Sequence, residues 1–203
     1  MRLRTPRLEL RLPTRAELEA LRDVALGGIH PPEFMPFTVP WTDDPELTEF
    51  LDYHEMRRRE WRADAWHFEP GVWFEGELVG VQALESTRFA ETRTVGTGSW
   101  LGRRFQGMGV GTEMRTAVLE LAFRGLGADR ACSGAVDGNA GSLGVSEKLG
   151  YRVVGRDTVA PRGLAIGHAK VELRREDWRP PVPVEIEGLE PCLPLFGAAV
   201  AQE

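Results

Sequence analysis

Hydrophobic and polar residues alternate over 7–12, with Leu8, Leu10 and Leu12 on one face, which predicts a strand. Pro13-Thr14 then opens a helix. Thr14 and Glu17 have capping-box spacing, and Leu18, Leu21 and Ala25 share a helical face before Gly27-Gly28 ends it. Residues 29–41 (IHPPEFMPFTVPW) mix prolines with aromatic and Met side chains and predict an ordered apolar loop. A second helix is predicted from about Asp44 to Arg62. Runs at 66–75 and 78–85 flank Glu75-Gly76-Glu77 and predict a hairpin. A strand over 94–101 leads to a Gly-rich turn at 107–111 and a helix to about 125, striped by Met114, Val118, Leu121 and Ala122. A strand at 130–136, a short helix at 139–149 closed by Gly150, and a hairpin of 151–159 with 164–173 complete the pattern.

The length of 203 residues suits one domain, predicted over 1–178. The Pro-rich tail, 179–203, is predicted to pack on that domain or on a partner subunit, which makes a homo-oligomer an expectation. Acidic residues outnumber basic ones 31 to 25, a net charge of −6, which argues against nucleic acid or an anionic membrane as partner. No apolar run is long enough to span a bilayer, and residues 1–12 lack the apolar stretch of a signal peptide. Two widely spaced cysteines, Cys132 and Cys192, make neither a disulfide framework nor a metal site. They read as free thiols, and the expected location is cytoplasmic.

The sharpest chemical feature is the turn from Gln106 through Gly107, Met108, Gly109, Val110 and Gly111 to Thr112. Glycines let main chain approach a ligand, and the free N–H groups of a helix's first turn attract an anion. A pyrophosphate is the natural guest. The mechanism uses backbone rather than lysine, so it is compatible with an acidic chain. The pattern [QR]-x-x-G-x-[GA] is short. It matches at Arg104 and again at Gln106, against roughly 0.6 chance matches expected, so a plain glycine turn remains an alternative. Two other nucleotide-binding turns fit worse. A P-loop needs Lys after its last glycine, and the dinucleotide fingerprint needs G-x-G-x-x-G where this chain has G-x-G-x-G.

The stretches GTGSWLGRRFQGMGVGTEMRTAVLELAF (96–123) and GNAGSLGVSEKLGYRVVGR (138–156) resemble the GNAT N-acyltransferase superfamily, in its RimJ/RimL-like branch. The opening TPRLELRLPT is similar to that branch's first strand, and the resemblance covers about 5–175. MPFTVPW, GVQAL, TGSWLG and PLFG are similar to a mycobacterial succinyltransferase of the group. The resemblance implies an α/β (α+β) GNAT fold. Its sheet would be mixed and mostly antiparallel, of about seven strands with a splayed central pair, and helices would lie on both faces. It implies acetyl-CoA or succinyl-CoA as cosubstrate, with no metal. Pantetheine would run along Trp100, Leu101 and Gly102, pyrophosphate would sit on 106–112, and Asn139 and Ser142 would flank the thioester sulfur. Asn139 and Ser142 are also residue types that cap helices.

The implied reaction is direct attack of a primary amine on the thioester in a ternary complex. An α-amino group titrates near 8 and lysine near 10.4, so a lysine acceptor costs roughly 3.4 kcal/mol more to deprotonate. Glu85 is the candidate base and Asp137 a second. Each also fits a solvated strand-end carboxylate. Ser142 is the candidate donor to the leaving thiolate, and main-chain N–H groups near Leu101 would hold the oxyanion. A succinyl carboxylate would call on Arg88, Arg93 or His30. The loop 29–41 and the second helix are the expected acceptor wall. Cys132 is expected to be a buried structural thiol, and the four histidines form no legible triad. The acceptor is a protein N-terminus, a lysine or a small molecule. A non-catalytic acyl-CoA sensor is the alternative reading.

Overall fold

In the computed structural model, which describes residues 1–198, alternation along the strands divides the core between the two faces of one sheet. The strands are β1 (Arg2–Arg4), β2 (Leu8–Arg11), β3 (Ala65–Phe68), β4 (Gly71–Phe74), β5 (Glu77–Thr87), β6 (Thr94–Leu101), β7 (Arg130–Val136), β8 (Arg152–Val159), β9 (Ile166–Arg174) and β10 (Glu185–Glu187). The helices are α1 (Arg15–Leu26), α2 (Phe50–Arg59), α3 (Phe89–Thr92), α4 (Val110–Glu120) and α5 (Ala140–Lys148). Strand order is β10-β1-β2-β4-β5-β6-β7-β9-β8, with β3 also on β5. Every pairing is antiparallel except β6 with β7.

Along β5, Leu84 joins Leu10, Val95, Val118 and Leu119 under α4, whereas Val81 joins Leu18, Leu21 and Phe50 under α1 and α2. The Thr14–Glu17 capping box is complete, with Thr14 N–H donating to Glu17 Oε2 at 2.7 Å. Helix α4 is buried nearly all round, polar residues included, because it lies between the sheet and the C-terminal segment. Its buried Glu120 accepts from Trp178 Nε1 at 2.6 Å and pairs with Arg124 at 2.8 Å.

Three expectations change. The second helix begins at Phe50 rather than near Asp44, because the Asp44 carboxylate accepts from the N–H groups of Glu46 and Thr48 and fixes a local turn. The run 66–75 is two strands, broken at Glu69-Pro70, where proline lacks a ladder donor. The sheet has ten strands instead of about seven, since that break adds one and the chain ends add β1 and β10. Strand β10 pairs Glu187 with Arg2, and Phe196 packs its ring 4.9 Å from Trp66 and 5.1 Å from Trp61. The indole N–H groups of Trp66 and Trp61 donate to the carbonyls of Phe196 and Leu195. The described part of the C-terminal segment thus packs on its own chain.

Candidate functional site

The parallel pair is the anomaly of the sheet. Strands β6 and β7 pair only through Thr94–Gly96 and Arg130–Cys132. Just beyond, side chains replace the ladder: Ser133 Oγ donates to Thr97 O at 3.0 Å and Thr97 Oγ1 to Cys132 O at 3.4 Å. The other edge of β6 stays paired with β5 out to Leu101 opposite Gly80. From Gly98 to Leu101 the β7-facing edge of β6 therefore has no strand partner. An unmet row of main-chain donors and acceptors inside a sheet is a place for an extended ligand carrying amides.

The gap opens onto the Gly-rich turn. Gly107 (φ 76°) and Gly109 (φ 81°) take left-handed conformations, the kind of turn in which successive N–H groups can form an anion-binding concavity. Among the described residues, the N–H groups of 107–112 donate to no main-chain acceptor. The Gln106 side chain is spent internally, its amide donating to Ile29 O at 2.7 Å and Leu101 O at 2.9 Å. It fastens the strand end to the loop after α1, and because the Gln106 main-chain N–H donates to Arg103 O at 3.3 Å, the residue offers no free donor to an anion. Glu113, buried in the first turn of α4, would oppose an anion. Its charge is matched by Arg7 at 2.6 Å, and Thr5 Oγ1 donates to it at 2.6 Å. Arg7 also donates to Met108 O at 3.2 Å, so a cation stands beside the turn.

Strand parity then sorts the residues by face. Leu101, Ser99 and Thr97 lie opposite Gly80, Gln82 and Leu84 on the α4 side. Trp100, Gly98 and Gly96 lie opposite Val81, Ala83 and Glu85 on the α1/α2 side. The ring of Trp100 belongs to the aromatic wall, 5.9 Å from Trp41 and 6.1 Å from Phe50, so only its main chain faces the gap. At the open end, Asn139 Oδ1 accepts from Ser142 N at 3.1 Å and caps α5. Among the described residues the Ser142 hydroxyl has no hydrogen-bond partner.

Glu85 sits at the closed end, opposite Gly96, in a groove of about 410 Å³ that also takes in His67, Arg130 and Cys132. His67 Nδ1 bonds Glu85 Oε2 at 2.8 Å and Arg57 Nη1 bonds His67 Nε2 at 2.9 Å. Because arginine can only donate, His67 accepts at Nε2 and donates from Nδ1. Next to it, Tyr53 and His54 share Glu69, at 3.2 and 3.0 Å. Burial first, and the Glu69 charge second, push the Tyr53 phenol up. Cys132 lines the groove half-buried instead of lying in the core, because its side chain faces away from α4. Burial, and then Glu172, push its thiol up, which leaves it a poor nucleophile.

Other candidates fall elsewhere. Asp137 is paired with Arg156 at 2.9 Å. Arg88 pairs with Glu91 at 3.3 Å, and Arg93 lies 5.2 Å over the Phe89 ring, so neither meets His30. His30 spends its ring nitrogens on Pro31 O and Thr42 Oγ1, at 2.9 and 2.7 Å. The loop 29–41 does stand beside β6, through Phe37, Trp41 and Trp100. It is tied to the turn between β8 and β9, where Arg162 grips Asp43 at 2.9 and 2.5 Å and Pro32 O at 2.8 Å. That hydrogen-bonded guanidinium holds the Asp43 carboxyl below the usual range. Sequence reasoning missed the His168–Asp157 pair (2.9 Å), whose imidazole overlies Gly134 of β7. The offset of His168 and Asp157 in one hairpin was its only sequence signal. Among the described residues no His/Cys/Asp/Glu group could hold a metal, and no helix is long and apolar enough to cross a membrane.

A mixed sheet whose one parallel pair splays beside a helix N-terminus with free amides defines the class: an acyltransferase of GNAT type. The sequence profile described as Acetyltransferase (GNAT) domain matches residues 7–152, and the chain belongs to that family. It is 28% identical over 131 residues to YdaF of Bacillus subtilis (strain 168), a protein named as a candidate ribosomal N-acetyltransferase, covering 62% of this chain and 71% of that one. Among solved structures, Mycobacterium smegmatis RimJ in complex with CoA-disulfide superposes with a TM-score of 0.70 at 20% identity, over 87% of each chain. RimL, the ribosomal L7/L12 α-N-protein acetyltransferase solved with coenzyme A in disulfide linkage to one of its cysteines, superposes with a TM-score of 0.68 at 15% identity. That match covers 85% of this chain and 97% of RimL.

Proposed function

We propose that this GNAT enzyme moves an acyl group from acetyl-CoA or succinyl-CoA to a primary amine by direct attack in a ternary complex. The observation that carries the reading is the unpartnered edge of β6 leading into six free main-chain N–H groups at the start of α4. Pyrophosphate sits on 107–112 with Arg7 beside it, and pantetheine pairs with Ser99, Trp100, Leu101 and Gly102 as an extra strand. An extended pantetheine arm matches about four strand residues, roughly 13 Å at ~3.3 Å each. Counted back from Leu101, that brings the thioester to Thr97 and Gly98, one step from Glu85.

In the reaction the amine nitrogen bonds to the thioester carbonyl carbon and its proton passes to Glu85 Oε1, the oxygen that His67 leaves free. Main-chain N–H groups on the free β6 edge hold the oxyanion. Collapse breaks the C–S bond, the electron pair goes to sulfur, and the Ser142 hydroxyl donates a hydrogen bond to it. The proton lost from nitrogen ends on coenzyme A as the thiol. Acetyl-CoA is the better-supported donor, because the expected succinyl receptors Arg88, Arg93 and His30 are dispersed. The names of YdaF and RimL favour a protein amine as acceptor. An α-amino group also needs only a modest base.

The test is thiol release from acetyl-CoA and from succinyl-CoA over a panel of N-terminal peptides, lysine peptides and small amines, with products weighed by mass spectrometry. Amine-dependent release supports the reading. Coenzyme A binding with no release across the panel would make the chain an acyl-CoA sensor.

A further inference from the structure

Helix α4 carries a charge that the fold does not neutralise. Arg115 is 3% exposed, and no carboxylate among the described residues lies within ion-pair distance. Its Nη1 donates to Ser146 Oγ of α5 at 3.0 Å, its Nη2 reaches Ser99 Oγ of β6 at 3.4 Å, and its Nε has no partner. Beside it, Gln82 lies opposite Ser99, and its buried Oε1 is also unpartnered. Tyr151 OH sits 3.4 Å from Thr97 Oγ1 on the same side. The cation thus spans the two walls of the gap, β6 and α5, in the segment where the proposed arm length ends. Desolvation works against its charge, and a buried unpaired ion is among the costlier things a fold can contain. A cost with no structural return inside a ligand gap points to a charge that arrives with the ligand.

We propose that Arg115 is the buried counter-charge for the coenzyme A thiolate, stabilising the sulfur anion as the C–S bond breaks. The inference rests on the donor site proposed above. Pantetheine itself is neutral, so the negative charge exists only on the oxyanion and then on the departing sulfur. A fixed guanidinium in a dry gap therefore favours the transition state over the bound thioester. The electron pair of the broken bond stays on sulfur until a proton arrives, and Arg115 gives up no proton of its own. The titratable group facing it is the Tyr151 phenol. Burial pushes that phenol up, so it stays neutral near pH 8.

The test needs no acceptor. Coenzyme A is bound to the full chain and its thiol titrated by ultraviolet difference absorbance, with the desulfo-coenzyme A complex as blank. A free thiol of this type titrates near ~8.5. In the wild type the bound thiol should titrate at least about one pH unit lower, the effect of a nearby opposite charge. Arg115→Met should return it to the free value, and Arg115→Lys should keep it partly lowered. Arg115→Met should also melt at the same temperature as the wild type or higher, while kcat falls about tenfold for each pH unit by which the bound thiol rises. A bound thiol that titrates like free coenzyme A in the wild type, or equally in wild type and Arg115→Met, overturns the proposal and leaves the donor site standing. Failure of coenzyme A to bind at all overturns both.

Discussion

Arg57 holds one nitrogen of His67, and His67 holds one oxygen of Glu85, so the proposed base has a single carboxylate oxygen free. Glu85→Gln should therefore lower kcat by roughly 10²- to 10⁴-fold while the KM for acyl-CoA stays within about twofold, read by steady-state thiol release. Ser142→Ala should likewise depress kcat more than coenzyme A affinity, since Asn139 Oδ1 caps the Ser142 main-chain N–H and not its hydroxyl. Equal loss of both quantities would make Ser142 a binding residue. At this scale the sequence was informative where chemistry is local. Asn139 and Ser142 are three residues apart on one helix turn, so the cap was readable from residue type and spacing, whereas the donor role of Ser142 came only from the family resemblance. His67, Arg57 and His168 were not readable, because their partners come from other strands or a helix and only register brings them together. Arg115 lay within an apolar-striped helix, and nothing local marked it as facing a gap.

Helices and turns carry the next level. The capping box of α1 is reinforced by Arg11, whose guanidinium bonds Glu17 and, with the Thr14 groups, holds that carboxyl down to about 2 from its ordinary 4.5. A folded-state value below the unfolded one means the contribution is complete above about 4.5 and is lost as pH falls toward 2. Melting temperature should fall with pH across that window in the wild type and fall less in Glu17→Gln, as followed by circular dichroism. At neutral pH, Thr14→Ala should cost about 1 kcal/mol with no change in KM, because the cap lies away from the gap. This box was readable because its residues are adjacent in sequence. The late start of α2 was not, since Asp44 competes for the local N–H groups that a periodicity argument assigns to a helix.

Over the whole molecule, the proposed donor site depends on a sheet that is closed at one end and open at the other. The β5–β6 ladder runs from Gly96 to Leu101 and keeps one wall straight, while the β7–β9 ladder keeps the other. The glycine turn marked the open end of the gap in sequence, and the family resemblance put the N-x-x-S helix at that same end. The strand count, the break at Pro70 and the docking of the C-terminal segment were not marked, because they depend on contacts such as Trp66 with Phe196, 130 residues apart. Phe196 is 1% exposed among Trp61, Trp66 and Phe68. Phe196→Ala should destabilise the chain by roughly 3–5 kcal/mol in urea unfolding. Little loss there would mean the segment does not support the core.

The central claim is that main-chain amides at the start of α4 hold the pyrophosphate of an acyl-CoA. Isothermal calorimetry tests it most directly, with coenzyme A titrated into the wild type and into Gly109→Val, whose φ of 81° a β-branched residue resists. The account predicts saturable heat for the wild type and at least about a tenfold weaker affinity for the variant, a difference of ~1.4 kcal/mol. No heat from the wild type at about 1 mM coenzyme A, where Kd values up to ~1 mM correspond to only −4 kcal/mol, would contradict it. So would equal affinity in a folded variant.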